Sequence, residues 1–154
     1  MLTFPITLFG GAATATRVFE GITAGTASGT NFTFSSVALG TDEGTSLVVV
    51  IVYVWSTGND VTIQATSTID GSAATIHAQA QGKDPVGTRT ATVGVLSRAT
   101  SSTTGTIVID NSASNQGAAI AVYRLNNLTS ATPDATATAI SAASGTPASP
   151  ISST

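Results

Sequence analysis

The sequence predicts an all-β protein: a single antiparallel β-sandwich, jelly-roll-like in topology, with extended terminal arms. Apolar and polar residues alternate with a period of two outside the turns, and no apolar residues keep the i, i+3, i+4, i+7 spacing of a helix. Turn residues recur roughly every 8–12 positions, as in sandwiches. The run LVVVIVYVW at positions 47–55 is rich in valine, whose branched side chain suits a pleated strand.

Glycine, asparagine, aspartate and proline separate the predicted strands, because these residues supply the backbone angles of turns. The clearest hairpin turn is Asp70-Gly71, since both residues tolerate a positive φ. The predicted strands cover residues 4–9, 16–20, 30–39, 47–55, 61–69, 74–80, 90–98, 106–110 and 118–125, with a weaker one at 135–141.

The length of 154 residues suits one domain with a core of its own. We expect the sandwich core to span residues 30–128, preceded by an N-terminal arm and the first strands at 1–29. Residues 129–154 are rich in alanine, serine, threonine and proline, a composition that cannot build a core, so they are predicted to form a C-terminal arm that reaches a neighbouring subunit.

The strand at 47–55 is apolar on both faces, unlike the strand at 61–69, where apolar and polar residues alternate. Its odd-numbered residues are expected to face the core. The other face would then need a cover from the N-terminal segment or from another subunit, because four exposed valines would forgo about 6 kcal/mol. The predicted subunit contact consists of Val48, Val50, Val52 and Val54.

The composition excludes several classes of protein. Cysteine is absent, which removes disulfide scaffolds and thiolate sites. Only 8% of residues are charged, the net charge is −3, and the five basic residues are scattered, so no nucleic-acid partner is expected. The nine-residue apolar run would rise about 14 Å as a helix, too short for a bilayer, so no membrane partner is expected. The N-terminus lacks the basic start of a signal peptide, which predicts synthesis in a cytoplasm.

No catalytic residue, metal ligand or cofactor site is predicted. His77 is the single histidine and no G-x-S-x-G motif accompanies it, so we expect it to face solvent or a partner. Most acidic residues lie in turns, and Asp42 and Glu43 lack the spacing of a calcium loop. Trp55, Tyr53 and Tyr123 could stack on a sugar ring if they emerged at a loop end of the sandwich, although burial in the core is the simpler expectation.

The segments TNFTFSSVALGTDEGTSLVVVIVYVW and GAAIAVYRLNNL resemble a group of tailed-bacteriophage virion proteins with jelly-roll or related β-sandwich domains. The shared features are an F-T-F strand, a V-x-L-G-T turn, a valine-rich strand and a late A-I-A-V-Y-R-L strand, and the resemblance covers residues 30–128. The resemblance implies a structural role and supplies no catalytic residue.

The resulting expectation is a non-enzymatic capsid decoration (cement) protein on the outer surface of the virion. It would form a homotrimer, contact the major capsid protein or other virion proteins, and be made in the host cytoplasm. Many weak contacts to adjoining shell subunits would add up by avidity. The alternatives are a tail fibre or baseplate component, and a carbohydrate-binding module.

Overall fold

A computed structural model describes residues 16–25, 29–128 and 130, with side chains from residue 29 onward. The predicted strands at 4–9 and 135–141, and both predicted arms apart from residues 16–25, 29 and 130, lie outside the described residues.

The described chain forms two antiparallel sheets from nine strands. Five strands lie in the order β1-β9-β3-β7-β6, and four lie in the order β2-β8-β4-β5. The strands are β1 (Thr16–Gly25), β2 (Gly29–Ala38), β3 (Leu47–Thr57), β4 (Thr68–Ile69), β5 (Ser72–Ala73), β6 (Thr75–Lys83), β7 (Arg89–Arg98), β8 (Thr104–Asn115) and β9 (Gly117–Asn126).

The strand order is that of a jelly roll. With β6 set aside, the other eight strands form two four-stranded sheets, β1-β9-β3-β7 and β2-β8-β4-β5. Lettered B to I along the chain, these sheets read BIDG and CHEF, the jelly-roll arrangement. Strand β6 is an addition that extends the first sheet at its edge. The predicted antiparallel β-sandwich is therefore confirmed.

The prediction for the four valines of β3 is wrong. Val48, Val50, Val52 and Val54 are each 0% exposed and lie in the core of their own chain, so they cannot contact another subunit. Phe32, Phe34, Ile107 and Ile109 of the opposite sheet fill the same core. Because interiors pack at the density of organic crystals, short valines on one sheet fit the large side chains of the other.

The segment at 61–69 is mostly a loop, not the predicted strand. Only an isolated bridge, Ile63 to Asn111, and the two residues of β4 pair with β8. The backbone N–H of Ile63 donates to Gln79 Oε1 at 2.9 Å, and Gln81 Nε2 donates to the Val61 carbonyl at 2.8 Å. These two glutamines of β6 thus take the place of a strand partner. Of the five alternate residues predicted to face the core, Val61, Ile63, Ser67 and Ile69 are buried, whereas Ala65 is exposed.

The predicted hairpin at Asp70-Gly71 is confirmed. Both residues have positive φ, 53° and 72°, as a type I′ turn requires. The hairpin is short, because β4 and β5 contain two residues each before the chain crosses to the other sheet and forms β6.

Candidate functional site

The outer face of the five-stranded sheet carries the apolar side chains that the core does not use. On β3 the outward residues Ile51, Tyr53 and Trp55 are 38%, 43% and 39% exposed, and Val93 on β7 is 45% exposed. Directly opposed residues of antiparallel strands share a face, so Val93 stands beside Tyr53 on this surface. The prediction that β3 is apolar on both faces is confirmed, with the outward face being the odd-numbered one.

Small residues flank this line of large side chains on both sides. The register places residues of β9 on one side and residues of β7 and β6 on the other, none of them charged. In successive rows across the sheet they are Ala121, Ile51, Val95 and Ala78, then Ala119, Tyr53, Val93 and Ala80, then Gly117, Trp55, Ala91 and Gly82. The alanines and glycines leave the large side chains of β3 and β7 accessible.

We divide this face into two parts. The outer patch consists of Val49, Ile51, Ala78, Val95 and Ala121, and it is aliphatic throughout. It lies toward the end of the sheet where Thr16, the first residue of β1, pairs with Asn126, the last of β9. The chain segments before Thr16 and after Asn126 therefore join the domain at that end.

The other part is an open depression of about 880 Å³, which we call the Trp55 depression. Its floor comprises Tyr53, Trp55, Ala80, Ala91 and Val93. Its rim is polar and comes from β6, from β7, from the turn between these strands and from the residue that joins β8 to β9. The rim residues include Gln81, Lys83, Asp84, Arg89 and Gln116. An apolar floor with a polar rim is the usual form of a small-molecule site.

Two charged groups of the rim are already engaged within the chain. Asp84 Oδ1 accepts hydrogen bonds from the backbone N–H groups of Arg89 at 3.1 Å and Thr88 at 2.7 Å. These bonds, that of Arg89 foremost, hold the pKa of Asp84 below its usual range. Lys83 Nζ lies 2.6 Å from Asp60 Oδ1. Asp84 thus fixes the turn, and Lys83 is paired.

Three hydrogen-bond donors of the Trp55 depression have no acceptor among the described residues. They are the hydroxyl of Tyr53, the indole Nε1–H of Trp55 and the guanidinium of Arg89. All three side chains are exposed. A ligand with several oxygen acceptors could satisfy them together.

The indole of Trp55 is positioned by Gly117, its cross-strand neighbour on β9. A Cβ at position 117 would lie 3.0 Å from Trp55 Cε2 and 3.2 Å from Cδ1, and nearer still to Nε1. The backbone N–H of Gln116 also donates to the Trp55 carbonyl at 2.9 Å. The ring therefore packs on the bare backbone of Gly117, and its place depends on the lack of a side chain there.

The structure brings two of the three predicted stacking residues together. Trp55 and Tyr53 line the depression, whereas Tyr123 is half-buried and pairs with Val49, three rows from Trp55 along β3. Tyr53 shares the parity of Trp55, which is the signal that the sequence contained. Arg89 was missed, because it reaches the site only through the pairing of β3 with β7.

His77 lies beside a serine, without the rest of a catalytic triad. It sits in an irregularity of β6, and its Nε2 is hydrogen-bonded to Ser97 Oγ. Ser97 is 3% exposed, and no carboxylate of the described residues is bonded to the imidazole. His77 is half-buried, and its predicted exposure to solvent or a partner stays a prediction. In the described ranges, no three histidine or acidic side chains are grouped so as to hold a metal ion.

No protein-family model, curated protein or solved structure matches this chain. The resemblance to tailed-bacteriophage virion proteins therefore stays a prediction. Within the described part of the chain there is no helix with the length and apolar character to cross a membrane. What the fold and the site define is a jelly-roll sandwich with an uncharged apolar outer face and a depression at one end of that face.

Proposed function

We propose that this protein is a non-enzymatic structural subunit of a virion, of the capsid decoration type, that associates with further copies of itself through the outer patch. The observation that carries the proposal is the second apolar face of β3, where Ile51 remains 38% exposed after the sandwich has closed. Contiguous apolar surface of this kind marks interaction sites in soluble proteins.

The chemistry of the outer patch favours a second copy as its partner. In a symmetric contact the same surface meets itself, so a patch with net charge repels its copy. The outer patch contains only valine, isoleucine and alanine, and it is therefore complementary to itself without any matching of charges. A contact of this kind closes a two-fold dimer, whereas a trimer would need the outer patch to meet a different surface of the neighbouring copy.

The position of the outer patch also supports the proposal. The segments 1–15 and 131–154 join the domain at the end of the sheet where the patch lies, since Thr16 pairs with Asn126. We propose that contacts made by these segments with the major capsid protein add to the contact between copies, so that many weak contacts hold each subunit on the shell.

Light scattering of the purified chain tests the self-association. The wild type should be an oligomer, and Ile51→Asp should be a folded monomer, because a charge buried in the contact would be unpaired. Thr33→Asp is the matched control, since Thr33 is exposed on β2 of the opposite sheet. A wild type that stays monomeric at high concentration, or an Ile51→Asp variant that assembles normally, would contradict the contact.

Imaging of the native particle tests the location. Density for the sandwich on the outer capsid would support decoration, and density confined to the tail would instead assign the protein to a fibre or baseplate.

A further inference from the structure

We propose that the Trp55 depression binds one pyranose unit of a saccharide, with the apolar face of the sugar lying on the rings of Trp55 and Tyr53. This site is distinct from the outer patch and goes beyond the structural role proposed above.

The floor of the depression suits the apolar side of a pyranose. A sugar ring presents C–H groups on its face and hydroxyls around its edge. Trp55 and Tyr53, 39% and 43% exposed, offer aromatic surface, and Val93 and Ala80 continue the apolar floor beside them. Partly positive C–H groups are attracted to the negative face of an aromatic ring, in addition to the apolar area that the contact buries.

The unpaired donors suit the hydroxyl edge. The Tyr53 hydroxyl, the Trp55 indole N–H and the Arg89 guanidinium lack acceptors among the described residues, and all belong to the lining. Sugar hydroxyls can accept from each of them. A purely apolar ligand would leave these donors unmatched, and unmatched polar groups lower affinity.

The charges of the rim disfavour other ligand classes. Asp84 caps its own turn and Asp60 pairs with Lys83, so no carboxylate of the rim is left to hold a cation. Arg89 is then the one basic group of the rim without a partner in the described chain, whereas a polyanion such as nucleic acid requires a cluster of basic groups. A neutral saccharide matches this combination of aromatic floor and few donors.

The depression and the outer patch adjoin each other along β3. Tyr53 is two residues and Trp55 four residues beyond Ile51, about 7 Å and about 14 Å away at the rise of an antiparallel strand, so Trp55 is the aromatic residue of the floor farther from the patch. Thr16 and Asn126 pair at one end of the sheet, and the depression lies toward the other end, where Trp55 pairs with Gly117.

The chain contains one tryptophan, so its fluorescence reports on this site alone. Titration of the full chain with cellohexaose, chitohexaose, mannohexaose and, as an acidic comparison, a hexagalacturonate should change the Trp55 emission. We expect saturation by at least one neutral hexasaccharide with a Kd of about 1 mM or tighter. No binding by any neutral member, or binding of the hexagalacturonate alone, would overturn the proposal.

Variants locate the binding. By calorimetry, Trp55→Ala should lower the affinity at least about tenfold, and Trp55→Phe should retain part of it because the stacking surface remains. Val86→Ala is the matched control, because Val86 is an exposed apolar residue outside both the lining and the outer patch, and this variant should bind as the wild type does. Equal affinity of Trp55→Ala and wild type would refute the site even if the sugar binds elsewhere.

Discussion

The indole of Trp55 on β3 lies against the bare backbone of Gly117 on β9, so close that a methyl group at position 117 would overlap the ring. The contact fixes the aromatic floor of the depression through a residue that has no side chain. Gly117 lacks the positive φ that would demand glycine, so the close approach of the indole is the reason for glycine here.

Gly117→Ala should displace the indole and leave the fold intact. We expect the emission maximum of Trp55 to shift and the melting temperature to change little. The saccharide affinity should fall about threefold to tenfold, which corresponds to about 1 kcal/mol. Gly82→Ala is the control for emission, because a Cβ at position 82 meets no atom within 4 Å. An unchanged emission in Gly117→Ala would show that the ring is not held by this contact.

The burial of Arg124 leads to a prediction about stability. This side chain of β9 is 0% exposed; its Nη2 donates to the Thr100 carbonyl at 2.6 Å and lies 3.7 Å from Asp42 Oδ1. Within the described residues, Nε and Nη1 have no partner. A buried charge with incomplete hydrogen bonding is expensive, and an apolar residue of similar volume often stabilises.

Arg124→Met should therefore raise the free energy of unfolding, by about 1 kcal/mol in urea denaturation. Asp42→Ala should lower it by about 1–2 kcal/mol, since the arginine stays buried with less compensation; the partial exposure of Asp42 reduces the effect. Glu43→Ala, at the exposed neighbouring position, serves as the control. A strongly destabilised Arg124→Met would mean that the guanidinium has partners beyond those described.

Asp70 is predicted to make the stability of the fold decrease at acidic pH. Its carboxylate accepts hydrogen bonds from the hydroxyls of Ser102 at 2.7 Å and Thr100 at 2.8 Å, and Arg98 lies nearby. These contacts, the Ser102 hydroxyl first, hold the pKa of Asp70 below its ordinary value. The stabilisation is therefore fully present above the pKa of the unfolded chain, and it is lost as the pH falls through the lower folded pKa.

Calorimetry between about pH 5 and about pH 2 should show a falling melting temperature in the wild type. Asp70→Asn should have a lower melting temperature at neutral pH and a smaller decrease in acid, and asparagine tolerates the positive φ of 53° at this position. Asp60→Asn affects an exposed ion pair and should behave as the wild type. An identical acid response of Asp70→Asn and wild type would exclude Asp70 as a source of the dependence.

The sequence predicted the strands well where local chemistry decides them. The ends of β3 and β7 fall within two residues of the predicted ends, because glycine-rich turns and β-branched runs define them. Period two also predicted the buried residues of the 61–69 segment apart from Ala65, which is exposed in the turn. It could not show that their backbone bonds go to Gln79 and Gln81, because these contacts depend on the placement of β6.

The sequence could not show which set of β3 side chains faces the core, and the reason is a different one. Both sets of side chains on this strand are apolar, so hydrophobicity cannot decide which set is inward. In the structure the even-numbered valines are the inward set, and they share the core with Phe32 and Ile107 of the other sheet. The same choice turns Tyr53 and Trp55 outward, and only the register of β3 against β7 and β9 then brings Arg89 and Gly117 to them.

Deletion of residues 131–154 should separate folding from attachment. All described strands end by Asn126, and the Leu128 N–H donates to the Thr45 carbonyl at 2.9 Å, so the sandwich keeps every described backbone contact without the deleted segment. We expect a melting temperature within a few degrees of that of the wild type and weaker incorporation into particles, because one set of weak contacts is lost. Ile51→Asp in the full-length chain provides the comparison, since it removes the contact between copies and keeps the segment. Undiminished incorporation of the shortened chain would refute the role of this segment and leave residues 1–15 as the proposed contact with the shell.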